Sequence, residues 1–216
     1  MNATFAIWKP INIGSFDVVR IAKTSIGSFK IGHAGSLDPF AEGILVLCIG
    51  KKTKEVPRIM AMKKEYIGKI KLGLETETLD KTGLITRKSP PPTLNTEIIT
   101  SIFKEFTGDI EQTPPAFSAL KFCGRSLYQY ARAGIRIIKK PRIVTIYSLD
   151  FIEYKDDVIT FRVLCGSGTY IRSLASDISK KLNTYGYLDE LKRIRVGNFT
   201  KENCLSLEQL RDGNIN

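Results

Sequence analysis

The stretch richest in residues able to do chemistry is Gly32-His33-Ala34-Gly35-Ser36-Leu37-Asp38-Pro39-Phe40-Ala41-Glu42-Gly43. Its three glycines permit positive φ or a close backbone approach. Pro39 fixes its own φ and biases Asp38 toward an extended conformation. The result is a rigid loop that presents one carboxylate beside one imidazole. A carboxylate held this way suits work as a base or nucleophile, although a lone Asp in a glycine-rich loop most often forms a turn. A phosphate cradle is a poor fit, because no Gly-Lys-Ser/Thr ending follows and an acid sits in the middle.

The elements that must position this loop are legible from periodicity. Phe5 to Trp8 reads as a strand ended by Lys9-Pro10. Ser15 is the expected cap of a helix with Phe16, Val19, Ala22 and Ile26 inward and Gly27 as its stop. Ile44 to Ile49 reads as a buried strand ended by Gly50, and Tyr66 to Leu72 alternates as a half-buried strand. After Pro90-Pro91-Pro92, Leu94 to Phe106 is amphipathic, with Ile98, Ile99, Ile102, Phe103 and Phe106 on one side and Gly108 as terminator. Leu127 to Ala133 is a short helix ended by Gly134. Ile143 to Tyr154 and Val158 to Cys165 form a strand pair around Lys155-Asp156-Asp157. Thr169 to Leu182 is a helix with Ile171, Leu174, Ala175, Ile178 and Leu182 inward. This mixed order argues for an α+β fold rather than a βαβ repeat.

Composition narrows the chemistry. The 216 residues carry 33 Lys plus Arg against 22 Asp plus Glu, a net charge of +11, with 43% hydrophobic residues. That is a folded chain with a polyanionic partner, nucleic acid before an anionic membrane. A single histidine, His33, excludes multi-His metal sites. Four scattered cysteines without a C-x-x-C pair exclude zinc ribbons and dithiol redox chemistry, and each is expected to be a small buried hydrophobe. The longest apolar run, Ile44 to Ile49, is too short to span a membrane, and no signal-peptide pattern opens the chain, so a cytoplasmic location is expected. From Gln112 to Leu149 there is no acidic residue. Lys121, Arg125, Arg132, Arg136, Lys139, Lys140 and Arg142 interleave there with Phe117, Phe122, Tyr128, Tyr130 and Tyr147. Cations neutralise phosphates and aromatic faces accept unstacked bases. A second basic cluster, Lys51, Lys52, Lys54, Arg58, Lys63 and Lys64, follows the strand that leaves the Asp38 loop.

The order of motifs resembles the TruB family of tRNA pseudouridine synthases. G-H-A-G-S-L-D-P-F-A-E-G-I-L followed by G-K-K-T-K resembles the family's catalytic motif, with Asp38 at the catalytic aspartate. Lys9-Pro10, Lys64-Glu65-Tyr66, Thr78-Leu79-Asp80-Lys81-Thr82-Gly83, Pro114 to Gly134, Gly166 to Leu174 and Leu191-Lys192-Arg193 match further family motifs in order, along nearly all of the chain.

The resemblance implies a pseudouridine synthase fold: a mixed, mainly antiparallel sheet flanked by helices, with an RNA-gripping thumb at about residues 112–140. It implies conversion of uridine 55 in the tRNA TΨC loop to pseudouridine by base flipping. The base is detached, turned and rejoined through C5, so no cofactor and no metal is expected. By resemblance, Tyr66 stacks on the base and Arg172, near the start of a helix that favours anions, pairs with Asp38. His33, Tyr170 and Leu191 complete the substrate-binding set, although a structural role for His33 is favoured over a catalytic one. Asp80 is read as a turn or binding-loop residue. Lys9, Lys54, Lys64, Lys121, Arg125, Arg132 and Arg136 are the expected RNA contacts. In Lys9-Pro10-Ile11-Asn12 the family glycine is replaced by Asn12, which tolerates a left-handed turn. The chain is expected to be one catalytic domain over 1–216, without the small C-terminal RNA-binding (PUA-like) domain of many bacterial members, and to act as a monomer on the tRNA T-arm. Two competing readings are a non-catalytic RNA-binding or tRNA-folding chaperone on the same fold, and a structural ribonucleoprotein component resembling a guide-RNA-dependent relative.

Overall fold

The computed structural model describes all residues except Ser28, Pro91, Arg136, Ile138, Ile215 and Asn216. Arg136 and the middle residue of the proline run therefore lie outside the described residues. In chain order come β1 (Thr4–Lys9), α1 (Ser15–Ile26), β2 (Ile31–His33), β3 (Glu42–Ile49), a 3-10 helix (Gly50–Glu55), α2 (Val56–Ala61), β4 (Lys64–Leu72), β5 (Leu74–Thr76) and β6 (Ile85–Lys88). There follow α3 (Thr96–Glu105), β7 (Gly108–Gln112), β8 (Lys121–Phe122), β9 (Arg125–Ser126), α4 (Leu127–Arg132), β10 (Arg142–Lys155), β11 (Val158–Cys165) and α5 (Ile171–Lys181). Last are β12 (Gly186–Val196), a second 3-10 helix (Lys201–Asn203), β13 (Cys204–Leu205) and α6 (Leu207–Arg211). The chain divides into two units. Unit 1 comprises Met1–Ile67, Leu164–Ser167 and Glu190–Asn216; unit 2 comprises Gly68–Val163 and Gly168–Asp189.

Unit 1 carries the strand order β13-β1-β3-β12, with β2 also on β3. β1 and β2 run antiparallel to β3, while β13 joins β1 and β12 joins β3 in parallel. Alternation along β3 explains its unbroken apolar run, because both faces are covered. Ile44, Val46 and Cys48 pack with Ala6, Ile59 and Val196 on one side. Leu45 and Leu47 pack with Ile7, with Val18, Val19 and Ala22 of α1, and with Leu210 of α6 on the other.

The start of α1 departs from expectation. Gly14 is the N-cap, and the Asp17 carboxylate accepts its backbone N–H at 2.9 Å. The Ser15 hydroxyl is engaged elsewhere, on Leu37, so it does not cap. Phe16, expected inward, is 65% exposed, and Val18 takes its place in the core. Val19 and Ala22 are inward as expected, and with Val18 they pack on Ile7 of β1 and on Leu45 and Leu47 of β3.

Unit 2 carries β4-β11-β10-β7 and two small ribbons, β5-β6 and β8-β9. β7 and β10 are antiparallel. β10 and β11 turn back through Asp156 and Asp157, whose φ values of 50° and 59° define the type I′ geometry that suits hairpin twist. Asn95 caps α3 by accepting the Ile98 N–H at 2.9 Å. Ile99 and Phe103 of α3 are buried, and Phe103 meets Phe161 edge to face at 6.3 Å, whereas Ile98, expected inward, is exposed. In α5, Ile171, Leu174, Ala175 and Ile178 are buried as expected.

The pairings make a mixed, mainly antiparallel sheet with helices packed on it, the expected α+β class. β12 had no signal in the sequence. It interrupts its apolar positions with Asp189, Glu190, Lys192, Arg193 and Arg195, and its charges find partners on neighbouring strands: Lys192 with Glu42 at 2.8 Å and Arg195 with Glu65 at 2.7 Å. The cysteines are free; Cys48 and Cys165 are buried, Cys204 is half-buried and Cys123, contrary to expectation, is exposed on a hairpin. Among the described residues no helix is long and apolar enough to cross a membrane.

Candidate active site

In unit 1 the Asp38 loop is tied down on both sides of the carboxylate. Leu37 and Phe40 are buried anchors, and Asp38 between them is half-buried. Ser15 Oγ accepts the Leu37 N–H at 2.8 Å and donates to the Leu37 carbonyl at 3.0 Å. Asn12, at φ 63°, donates its N–H to the Pro39 carbonyl at 2.7 Å, so the left-handed turn survives the loss of glycine and reaches the loop. Ala41 N–H closes a turn on the Asp38 carbonyl at 3.1 Å.

Arg193 of β12 holds the loop from beneath. It is 1% exposed. Its Nε donates to the Ile44 carbonyl at 2.7 Å, Nη2 to Gly35 at 3.0 Å and Nη1 to Ser36 at 3.3 Å. Gly43 pairs in register with Arg193 at φ 119°, and a Cβ there would overlap the Arg193 backbone. Gly43 is thus a close-approach glycine. Sequence reading placed Arg193 in a family motif without giving it a role; only its burial marks it.

Tyr66, the third residue of β4, is buried. Burial pushes its phenol above the usual tyrosine range, opposed by the charge of the Arg193 guanidinium; the Asp38 charge adds to the rise. Asp38, Arg193 and Tyr66 therefore share one electrostatic neighbourhood. His33 ends β2. Desolvation first, and Arg193 second, hold its pKa below the ordinary imidazole value, so it is neutral at pH 7. Its Nδ1 is buried with no hydrogen-bond partner among the described residues. Leu191 is buried on β12.

Two expected phosphate contacts are corrected. Lys9 is 0% exposed, and its Nζ donates to the carbonyls of Pro10 at 2.9 Å and Ile13 at 2.8 Å, clamping the turn before α1. Burial brings its pKa down from 10.5 to about 8, against the pull of Asp38. Lys64 is 6% exposed and donates to the carbonyls of Met60 and Met62 at the end of α2; burial likewise brings it to about 8. Both ammoniums are taken up by backbone carbonyls. Their sign was visible in the sequence, but their burial was not. Lys54 is exposed as expected, while in the same cluster Lys52 and Arg58 share Glu55 at 2.6 and 3.4 Å.

In unit 2 Arg172 occupies the first turn of α5. Its Nη1 lies 3.4 Å from an Asp80 carboxylate oxygen and donates to the Thr78 carbonyl at 2.9 Å, and its Nη2 donates to the Phe117 carbonyl at 2.9 Å. Asp80 itself closes its turn by accepting Thr82 N–H at 2.9 Å and Thr78 Oγ1 at 2.8 Å. Asp80 is a turn residue, as expected, and also an ion-pair partner, which was not. Tyr170 caps α5 and exchanges two bonds with the Gln112 amide, at 2.7 and 3.1 Å. In the acid-free segment, Cys123 (φ 46°) and Gly124 (φ 81°) turn the β8-β9 ribbon, with Phe122 opposite Arg125. Lys121, Arg125 and Arg132 are exposed, and the Arg132 guanidinium lies 4.6 Å from the centroid of the exposed Tyr128 ring.

Comparison with known proteins adds to this geometry. The family model described as TruB family pseudouridylate synthase, N-terminal domain, matches residues 20–171, and that of the tRNA pseudouridylate synthase B C-terminal domain matches 172–215. The chain is 41% identical over 215 residues to a tRNA pseudouridine synthase B of Clostridium tetani, covering 100% of this chain and 74% of that protein. It is 41% identical over 213 residues to the protein so named in Francisella philomiragia, covering 98% and 70%. Among solved structures it matches a chain of a Cbf5-Nop10-Gar1 complex with TM-score 0.75 and 28% identity, over 97% of this chain and 53% of that one. It matches a chain of an H/ACA RNP bound to a substrate RNA containing 2'-deoxyuridine with TM-score 0.72 and 26% identity, over 97% and 52%. The chain thus spans about half the length of these solved chains. Two adjoining family models that cover residues 20–215, and relatives at 41% identity along the whole chain, show that it belongs to the TruB family of pseudouridylate synthases.

Proposed function

We propose that this chain isomerises uridine 55 of the tRNA TΨC loop, acting as a single cytoplasmic chain on the T-arm, with Asp38 as its catalytic aspartate. Family membership and the named relatives support the general reaction, uridine to pseudouridine in tRNA. The observation that carries the residue assignment is the clamped Asp38 loop with Tyr66 within reach of its charge. The reaction breaks the bond from N1 to C1′ and forms one from C5 to C1′; the C5 proton leaves and N1 takes a proton, so composition is unchanged. Such a reaction needs a held carboxylate and a flat apolar surface for a base out of its stack. Asp38 supplies the first and Tyr66 the second. Leu191 adds apolar surface, and His33 offers a buried, neutral nitrogen to the extruded nucleotide. Arg172 and Tyr170 are assigned to substrate binding from α5. Lys54, Lys121, Arg125 and Arg132 take phosphate, with Tyr128 and Phe122 exposed for bases.

The test is T-arm RNA tritiated at uracil C5. Wild type should release tritium and Asp38→Asn should not. Release unchanged by Asp38→Asn would refute the assignment, and tight binding with no release from wild type would favour the chaperone reading.

A further inference from the structure

Arg193 is among the largest fully buried side chains. A guanidinium taken out of water is costly unless its donors are paired. Of its five N–H donors, one each reaches Gly35, Ser36 and Ile44, carbonyls 158, 157 and 149 residues away in sequence. The first two lie just before Asp38 in the loop and the third just after the loop closes. The charge of Arg193 also acts on the buried Tyr66 phenol. One rigid, planar group therefore contacts both shoulders of the carboxylate loop. The backbone of Arg193 is equally committed, since it lies against Gly43, where no side chain fits. An apolar residue would fill the same space and leave three carbonyls without donors.

We propose that Arg193 is a positioning residue, which fixes the Asp38 loop from both sides and so governs the chemical step rather than RNA binding. This rests on the reading of Asp38 as the catalytic aspartate. Lysine cannot replace it, because a single ammonium lacks the planar fork that spans carbonyls on two sides of the loop.

The experiment compares wild type, Arg193→Lys and Asp38→Asn in single-turnover tritium release at saturating tRNA, with dissociation constants from filter binding and folding from urea midpoints. Folded Arg193→Lys should lose about 100-fold in rate, the scale of a 1 Å misplacement, while its dissociation constant stays within about twofold of wild type. Adding guanidinium at a few millimolar to Arg193→Gly should restore part of the rate without changing RNA affinity. A wild-type rate in folded Arg193→Lys, or rate and affinity lost by the same factor, overturns the proposal. If neither Arg193 variant folds, Ser15→Ala removes the other side-chain brace of the loop. The same split is then expected, and a lower urea midpoint at an unchanged rate overturns the role given to loop position. Activity in Asp38→Asn would instead remove the reading on which the proposal rests.

Discussion

A lysine ammonium removed from water is held less readily, and Lys9 shows the consequence at the scale of one residue. Its folded pKa of about 8 lies below the ordinary 10.5 because burial outweighs the attraction of Asp38. Between those values the unfolded chain binds more protons than the folded one, so this group makes stability rise with pH across about 8 to 10.5. Relative to Lys9→Met, wild type should therefore gain about 2 kcal/mol between pH 7.5 and pH 10. Urea unfolding of both proteins at the two pH values measures this, and titrations common to both cancel. Parallel pH dependence would mean that Lys9 is charged and solvated in the folded chain. Lys64 is brought to about 8 by the same cause and should behave alike.

At the scale of elements, the parallel contact of β12 with β3 is what places Arg193 under the Asp38 loop. The register Arg193 to Gly43 leaves no room for a side chain at 43, and φ there is 119°, which L residues rarely adopt. Gly43→Ala should therefore cost about 3 kcal/mol or more through strain and displaced backbone. Gly32→Ala tests the contrast, since a Cβ at 32 would meet Val56 at an ordinary 3.6 Å. It should stay within about 1 kcal/mol of wild type. Urea midpoints of the two variants decide; equal losses would mean that the loop is not pinned at Gly43. Asn12 and Ser15 belong to the same device, because the turn before α1 and the first residue of α1 both bond the loop that α1 itself never contains.

Across the whole molecule, a net charge of +11 does not translate into equal contacts with RNA. Of the expected RNA contacts, Lys9 and Lys64 are buried, whereas Lys54 of unit 1 and Lys121, Arg125 and Arg132 of unit 2 are exposed. Each phosphate contact steepens the salt dependence of binding by about 0.7 to 0.9 in log–log slope. Neutralising Lys121 and Arg132 together should flatten that slope by about 1.5, whereas Lys64→Met should leave it unchanged. Binding of T-arm RNA across 50 to 200 mM salt, about the range over which such contacts are lost, makes the comparison. An unchanged slope in Lys121→Ala, Arg132→Ala would mean that the acid-free segment does not touch phosphate.

By itself the sequence determined what is local: α5 and its buried stripe, the Asp156-Asp157 hairpin, the strand Ile44 to Ile49, the left-handed tolerance of Asn12, and through ordered motifs the family and its Asp38 loop. Each of these depends on residues within a few positions of one another, where periodicity and turn chemistry act. Only the tertiary structure decided that Lys9 and Lys64 are inside, that Phe16 is outside, that Arg172 pairs with Asp80, and that Arg193 joins carbonyls more than 140 residues distant. The strand β12 also belongs here, because its charges look like surface until Glu42 and Glu65 are beside them. Charge and residue type can be read one position at a time, whereas burial and the partner that makes it tolerable are set by whichever distant segments the fold brings together.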